Sequence, residues 1–184
     1  LRTLFNVMLE AGCVPSKFAI GLTTMLPKFK GNKTVVSSDD FRGITICPII
    51  SKIFEYCLFE NLYENLTTSS RQFGFKKKIG TINSLHTVRK VINYFNTQNN
   101  TVSVGVVDLR KAFDKCNIYG ILHMLQTKSV KNSIINVLEN WFLKNQTMVK
   151  WGNTVSEPVS LLSGVKQGGV LSPLLFSSYV DIVL

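Results

Sequence analysis

Apolar positions recur three and four residues apart over several stretches of this chain and cluster in short runs elsewhere, and these two patterns predict its elements. Leu4, Phe5, Met8 and Leu9 place a helix over residues 1–11, and Gly12 is suited to end it. Residues 19–26 are apolar and carry threonines, which predicts a strand closed by Pro27. Residues 28–40 are polar, with Gly31 and three lysines, and read as a loop. Pro48 suits the first turn of a long helix, with Ile49, Ile50, Ile53, Phe54, Cys57, Leu58 and Leu62 on one face. After a basic loop at 71–80, Thr81 is placed to cap a helix whose apolar face is Ile82, Leu85, Val88, Ile92 and Phe95. A turn at 98–101 leads into the β-branched run 102–107, which predicts a buried strand ending at Asp108. Helices are predicted at 118–127 and 133–144, and strands at 147–151 and 158–162 joined through a Gly-Asn turn region. A glycine-rich loop at 164–169 precedes a last helix opened by Ser172 as cap and Pro173 at its first position. The fold class is α+β. The chain contains no internal repeat and no low-complexity segment.

Composition narrows the picture. At 184 residues and 45% apolar, the chain can bury a sizeable core, and wholesale disorder is excluded. It begins at Leu1 and ends at Leu184 inside an apolar run, so it is expected to be a fragment of a longer protein. The run 170–184 contains Pro173 and Asp181 and falls short of the ~20 residues that span a bilayer. No basic segment followed by an apolar core and cleavage site opens the chain, so neither membrane insertion nor secretion is expected. Cys13, Cys47, Cys57 and Cys116 form no C-x-x-C pair, and only His86 and His123 accompany them. That disfavours a zinc site and fits small core thiols in a reduced, intracellular setting. The net charge is +10, and residues 65–107 hold Arg71, Lys76, Lys77, Lys78, Arg89 and Lys90 with no acid. Such a stripe attracts polyanions; the other reading is a solvated surface.

Asp108 is the first candidate for chemistry, because a carboxylate at the end of an apolar strand sits where strand ends form ligand crevices. A structural ion pair with Arg110 is the alternative. Context favours chemistry. Asp108-Leu109-Arg110-Lys111-Ala112-Phe113-Asp114 is followed some 50 residues later by Gly164-Val165-Lys166-Gln167-Gly168-Gly169-Val170-Leu171-Ser172-Pro173. Upstream stand Phe41-Arg42-Gly43-Ile44-Thr45, then Ser51-Lys52-Ile53-Phe54-Glu55, then Gln72-Phe73-Gly74-Phe75. In this order the blocks closely resemble the reverse transcriptase of LINE-type (non-LTR) retrotransposons, over most of the chain.

The resemblance implies a right-hand polymerase fragment, fingers-like over about 1–100 and partial palm over about 101–184. Nucleotidyl transfer places a 3′ hydroxyl on the α-phosphate of a triphosphate, and two Mg²⁺ ions stabilise the attacking and leaving oxygens. Mg²⁺ takes hard oxygen ligands, usually one or two carboxylates with phosphates and water. By resemblance Asp108 is the catalytic metal ligand and the backbone carbonyl of Leu109 adds a second donor. Phe113 maps onto the steric gate against a ribose 2′ hydroxyl, and Asp114 reads as a local cap or ion-pair partner. Gln167 and Gly168 map onto the loop that packs on the incoming nucleotide and template, with Lys166 adding a cation beside it. Lys28 and Arg42 match fingers positions that hold the triphosphate, although the usual Tyr-Arg is Phe41-Arg42 here. Lys76, Lys77 and Lys78 follow the block where the family contacts template backbone, a salt-dependent and largely sequence-independent contact.

The family also carries a Tyr-x-Asp-Asp hairpin. Tyr179-Val180-Asp181-Ile182 is not its equivalent: the second aspartate is Ile182, and Asp181 lies inside the last helix. The hairpin and the thumb are therefore expected outside this chain. The expected function is RNA-directed DNA polymerase activity in the complete domain, with RNA template, DNA primer and deoxynucleoside triphosphates as partners and Mg²⁺ as cofactor. This chain alone is expected to be inactive, working in the cytoplasm, the nucleus or both. The alternative is a non-catalytic, basic nucleic-acid-binding remnant.

Overall fold

A computed structural model describes residues 1–28 and 37–183, a mixed α/β arrangement with six α-helices and one five-stranded sheet. Helix α1 (Arg2–Ala11) ends as its sequence predicts: Gly12 adopts φ 62°, and its N–H returns to the Met8 carbonyl. Strand β1 (Ile20–Pro27) pairs antiparallel with β2 (Phe41–Ile46) and parallel with β3 (Gln146–Trp151). Two short strands, β4 (Thr154–Val155) and β5 (Val159–Ser160), pair antiparallel with β3, so β2 forms one edge of the sheet. A threonine ladder ties β2, β1 and β3, with Thr23 Oγ1 at 2.8 Å from Thr45 Oγ1 and 2.6 Å from Thr147 Oγ1.

Helices α2 (Ile49–Asn65), α4 (Ile118–Thr127), α5 (Asn132–Leu143) and α6 (Ser172–Val180) build the core with α1. Phe54 is its centre. Its ring stacks on Trp141 at 5.9 Å and meets Phe5 at 4.9 Å, with Leu58, Leu62, Ile121, Leu125 and Leu138 buried around them. Helix α4 starts where Asn117 Oδ1 accepts from the N–H groups of Tyr119 and Gly120. It also crosses α6 closely, since a Cβ on Gly120 would lie 2.9 Å from the Tyr179 ring.

Several expectations need correction. The buried face of α2 is Ser51, Phe54, Glu55, Leu58 and Leu62, whereas Ile49, Ile50, Ile53 and Cys57 face outward. The cap of α3 (Thr81–Thr97) is Gly80, whose N–H donates to Asn83 Oδ1, so Thr81 is already in the helix. Leu171 precedes α6 as its cap residue, and Ser172 is buried in its first turn. The largest difference is at 102–107, which forms no strand and pairs with none among the described residues; Val106 is 89% and Val107 91% exposed. A β-branched run expresses its strand preference only against a neighbour, and here it has none. The face of α3 is equally uncovered, with Ile82 80% and Leu85 68% exposed.

Candidate active site

Two segments some 50 residues apart are stitched together on one side of the molecule. Residues 110–115 form a turn in which Lys111 is held at φ 53°, a region few side-chain-bearing residues adopt. The glycine loop lies against that turn: Gly164 N–H donates to the Cys116 carbonyl at 2.8 Å and Val165 N–H to the Phe113 carbonyl at 2.9 Å. Gly164 has φ 86°, and a Cβ there would lie 2.7 Å from the Asp114 carbonyl oxygen. The approach requires glycine. Farther along, the Gln167 carbonyl accepts from Thr45 N–H at 2.8 Å, so the loop covers part of the open edge of β2. Gly168, at φ 134°, presses so closely on Thr45 that no Cβ fits.

Phe113 is partly buried. Its ring stacks on Phe176 of α6 at 4.6 Å and meets Phe75 edge-on at 6.0 Å, while Phe75 itself is 57% exposed at φ 56°. The aromatic trio therefore joins the Gln72-Phe73-Gly74-Phe75 block to the same face. Asp108 and Leu109 are exposed just before the turn, and Asp108 has no hydrogen-bond or ion-pair partner among the described residues. Arg110 pairs with Asp39 at 3.7 Å and not with Asp108. Lys111 Nζ also reaches Asp39, at 2.5 Å, and Lys28 Nζ donates to the Asp39 carbonyl at 2.9 Å. The adjacent Lys111 ammonium, with Arg110 and Lys28 adding to it, holds the Asp39 carboxyl below its usual range. Arg42 thus stands on β2, exposed and opposite Leu26 in register, with Lys28 just past the end of β1, and Asp39 links that end of the strand pair to the 110–115 turn.

Other residues sit differently from expectation. Lys166 does not face the site; its Nζ donates inward to the Ala19 carbonyl, and burial pushes its ammonium pKa down. Asp114 caps nothing by its side chain among the described residues; its backbone carbonyl accepts from Ser163 Oγ. Lys76 Nζ braces its own turn through the carbonyls of Ser69 (2.5 Å) and Thr68 (3.4 Å). Lys77 is exposed with its ammonium 5.4 Å from the Tyr63 ring, and Lys78 is exposed at φ 62°. Asp181 is engaged, both carboxylate oxygens accepting from Ser69 N–H at 3.0 Å.

The described residues contain no group of three or more His, Cys, Asp or Glu able to cage a metal ion. One unpaired carboxylate with an adjacent carbonyl fits the part a protein plays when Mg²⁺ takes its other ligands from phosphate and water.

The reverse transcriptase (RNA-dependent DNA polymerase) family model matches residues 27–184. The chain belongs to that family. Its relatives are reverse transcriptases of non-LTR retrotransposons. The Pol polyprotein of the type-1 retrotransposable element R2 of Nasonia vitripennis is 24% identical over 184 residues, all of this chain and 18% of that protein. The probable RNA-directed DNA polymerase from transposon BS of Drosophila melanogaster is 25% identical over 97% of this chain and 20% of its own length. The polymerase of the mobile element jockey, also from Drosophila melanogaster, is 28% identical over 98% of the chain and 20% of its own length. The chain thus spans about a fifth of the relatives it matches. Among the described residues of this reverse transcriptase segment, no helix is long and apolar enough to cross a membrane.

One residue of the site surroundings stands in a motif block, Ser51-Lys52-Ile53-Phe54-Glu55, without a role read from it. Glu55 is buried at 7% exposure, and its Oε2 accepts from Leu171 N–H at 2.8 Å. Burial raises its carboxyl pKa, and the backbone donors Leu171 and Val170 oppose that rise. Its helical spacing does place it: Ser51, Glu55, Leu58 and Leu62 lie three and four apart on the buried stripe.

Proposed function

We propose that this chain is the fingers (about 1–100) and the first part of the palm (about 101–184) of a right-hand, RNA-directed DNA polymerase. The carrying observation is the joining of the turn at 110–115 that follows Asp108, the loop at 164–169 and the strand bearing Arg42 through backbone hydrogen bonds. Asp108 and the Leu109 carbonyl would hold Mg²⁺, which when bound stabilises the charge that develops on the attacking and leaving oxygens. Arg42 offers a guanidinium suited to bidentate phosphate contact, and Lys28 a second cation at the end of the same strand pair. Gln167 and Gly168 would pack on the incoming deoxynucleoside triphosphate, and Phe113 would exclude a 2′ hydroxyl. RNA template and DNA primer are the macromolecular partners, in the cytoplasm, the nucleus or both. The Tyr-x-Asp-Asp hairpin and thumb would be supplied from outside residues 1–184.

The steric gate gives the test. In a polymerase carrying this segment, Phe113→Val is expected to reduce discrimination against ribonucleotides by about tenfold or more, because a pocket wall has been shortened by several carbons. The measurement is the ratio of kcat/KM for deoxy- and ribonucleoside triphosphates on an RNA template. An unchanged ratio removes the gate from Phe113. Its stacking on Phe176 makes valine, which keeps part of the packing, preferable to alanine.

The second reading, a nucleic-acid-binding segment without catalysis, is favoured by the acid-free stretch 65–107. For the 184-residue chain alone we expect no primer extension, and single-strand binding that weakens steeply with salt. Because Lys76 is turned onto Thr68 and Ser69, replacing Lys77 and Lys78 by Ala should reduce the slope of log K against log salt by about 1.4. A slope unchanged by that replacement would place binding elsewhere.

A further inference from the structure

We infer that Glu55 is a positioning residue for the nucleotide-facing loop, holding Gln167 and Gly168 in place from inside the core. The inference rests on the reading of that loop given above and adds a residue on a different helix.

Helix α6 begins without a cap of its own. Leu171 is its cap residue, with helical backbone angles (φ −77°, ψ −23°) and no side-chain cap bond. An uncapped helix start leaves backbone N–H groups seeking acceptors. Glu55 of α2 provides one from across the core, taking Leu171 N–H on Oε2 at 2.8 Å. A negative charge there also opposes the positive end of the helix dipole. The loop backbone closes on this carboxylate: a Cβ on Gly169 would lie 3.4 Å from Glu55 Oε2 and 2.7 Å from Ser172 Oγ.

The loop is therefore fastened at three places. Its start is bonded to the Phe113 and Cys116 carbonyls, and its middle to Thr45. Its end is held by Glu55. The first two are contacts between backbone groups. The third is a single side chain, and it faces a cavity of about 40 Å³ whose lining includes Cys47, Lys166 and Asn145. Removing the carboxylate leaves the buried Leu171 N–H without that acceptor and enlarges space already present. The nearest relief is movement of residues 168–171. Gln167 and Gly168 lie within four residues of Leu171, so a shift there reaches the nucleotide-facing backbone, where displacements of about 1 Å alter rates severely.

The test compares Glu55→Ala with Glu55→Gln in a polymerase carrying this segment, with rates normalised to active sites by burst amplitude. Glu55→Ala is expected to raise KM for the incoming deoxynucleotide about tenfold, with a smaller change in kcat. Glu55→Gln keeps an acceptor oxygen and should stay within about threefold of the parent. A merely structural role predicts the opposite: a lowered burst amplitude and melting temperature with KM unchanged, and that result overturns the inference. Equal defects in both variants overturn it too. If the alanine variant does not fold, Glu55→Asp decides: it keeps the charge but shortens its reach, and an unchanged KM defeats the proposal. Hydrogen exchange on the 184-residue chain supplies a readout free of activity. Amides 168–171 should exchange faster in Glu55→Ala, and not in Glu55→Gln, while those of Ile121 and Leu125 stay as in the parent. Faster exchange with an unchanged KM overturns the inference. If the parent polymerase performs no template-directed synthesis, the functional reading fails instead, whatever the exchange shows.

Discussion

Asp108→Asn, made in a polymerase that carries this segment, is expected to lower Mg²⁺-dependent primer extension by about a thousandfold or more, roughly 4 kcal/mol of transition-state stabilisation. The substitution keeps the shape and exchanges one anionic oxygen for an amide nitrogen. Mg²⁺ accepts hard oxygen donors and holds them at short, near-octahedral distances, so an amide nitrogen cannot replace the lost ligand. The side chain makes no hydrogen bond or ion pair among the described residues and is exposed, so nothing that supports the fold is removed. Template affinity and melting temperature should therefore match the parent while extension is lost. The pair of measurements is extension rate across a Mg²⁺ titration and binding of a labelled primer–template by anisotropy. Extension at parental rates would remove Asp108 from the metal site. Joint loss of binding and extension would assign it to nucleic-acid contact.

Much of the helical framework is legible in the sequence because its signals are local. Gly12 ends α1 in the left-handed conformation, residues 118–127 form α4 as predicted, and Pro27 closes β1. Each depends on residues within one or two turns of one another. What is not legible depends on neighbours. Residues 102–107 have the composition of a buried strand but no partner among the described residues, so the same valines are exposed. The apolar spacing in α2 suggests one broad face, but only the stripe through Phe54, Leu58 and Leu62 meets Phe5 and Trp141. At the candidate site the motif segments meet in space, but side-chain directions are not all legible in the pattern. Lys166 reads as a cation beside the nucleotide, yet its Nζ satisfies the Ala19 carbonyl inside the protein. Arg110 reads as a partner for Asp108, yet it joins Lys111 on Asp39, a residue about 70 positions earlier. Nothing in the local pattern reveals an acceptor supplied from that distance.

Gly168→Ala carries the second large expectation: a loss of about 3 kcal/mol or more in stability, with the candidate site disrupted. Two costs coincide at this position. The backbone stands at φ 134°, which an L side chain rarely adopts, at about 1–3 kcal/mol. The added methyl would also overlap the carbonyl of Thr45, a backbone atom held in place by the pairing of Thr45 with Thr23; overpacking of this kind costs about 1–3 kcal/mol. Relief requires either β2 to move or the loop to lift, and lifting breaks the bond from Thr45 N–H to the Gln167 carbonyl at the sheet edge. Gly152→Ala separates the two costs. Gly152 has φ 58°, and a Cβ placed on it meets nothing within 4 Å, so this variant should lose only about 1–2 kcal/mol. Urea unfolding of both variants gives the comparison, and hydrogen exchange at Thr45 reports whether the loop has lifted. Equal losses at the two glycines would mean that backbone conformation alone dictates glycine at 168. A larger loss at Gly168 with faster exchange at Thr45 shows that the seat of the loop on β2 is what a side chain there destroys, and with it the alignment of Gln167 that the proposed nucleotide packing requires.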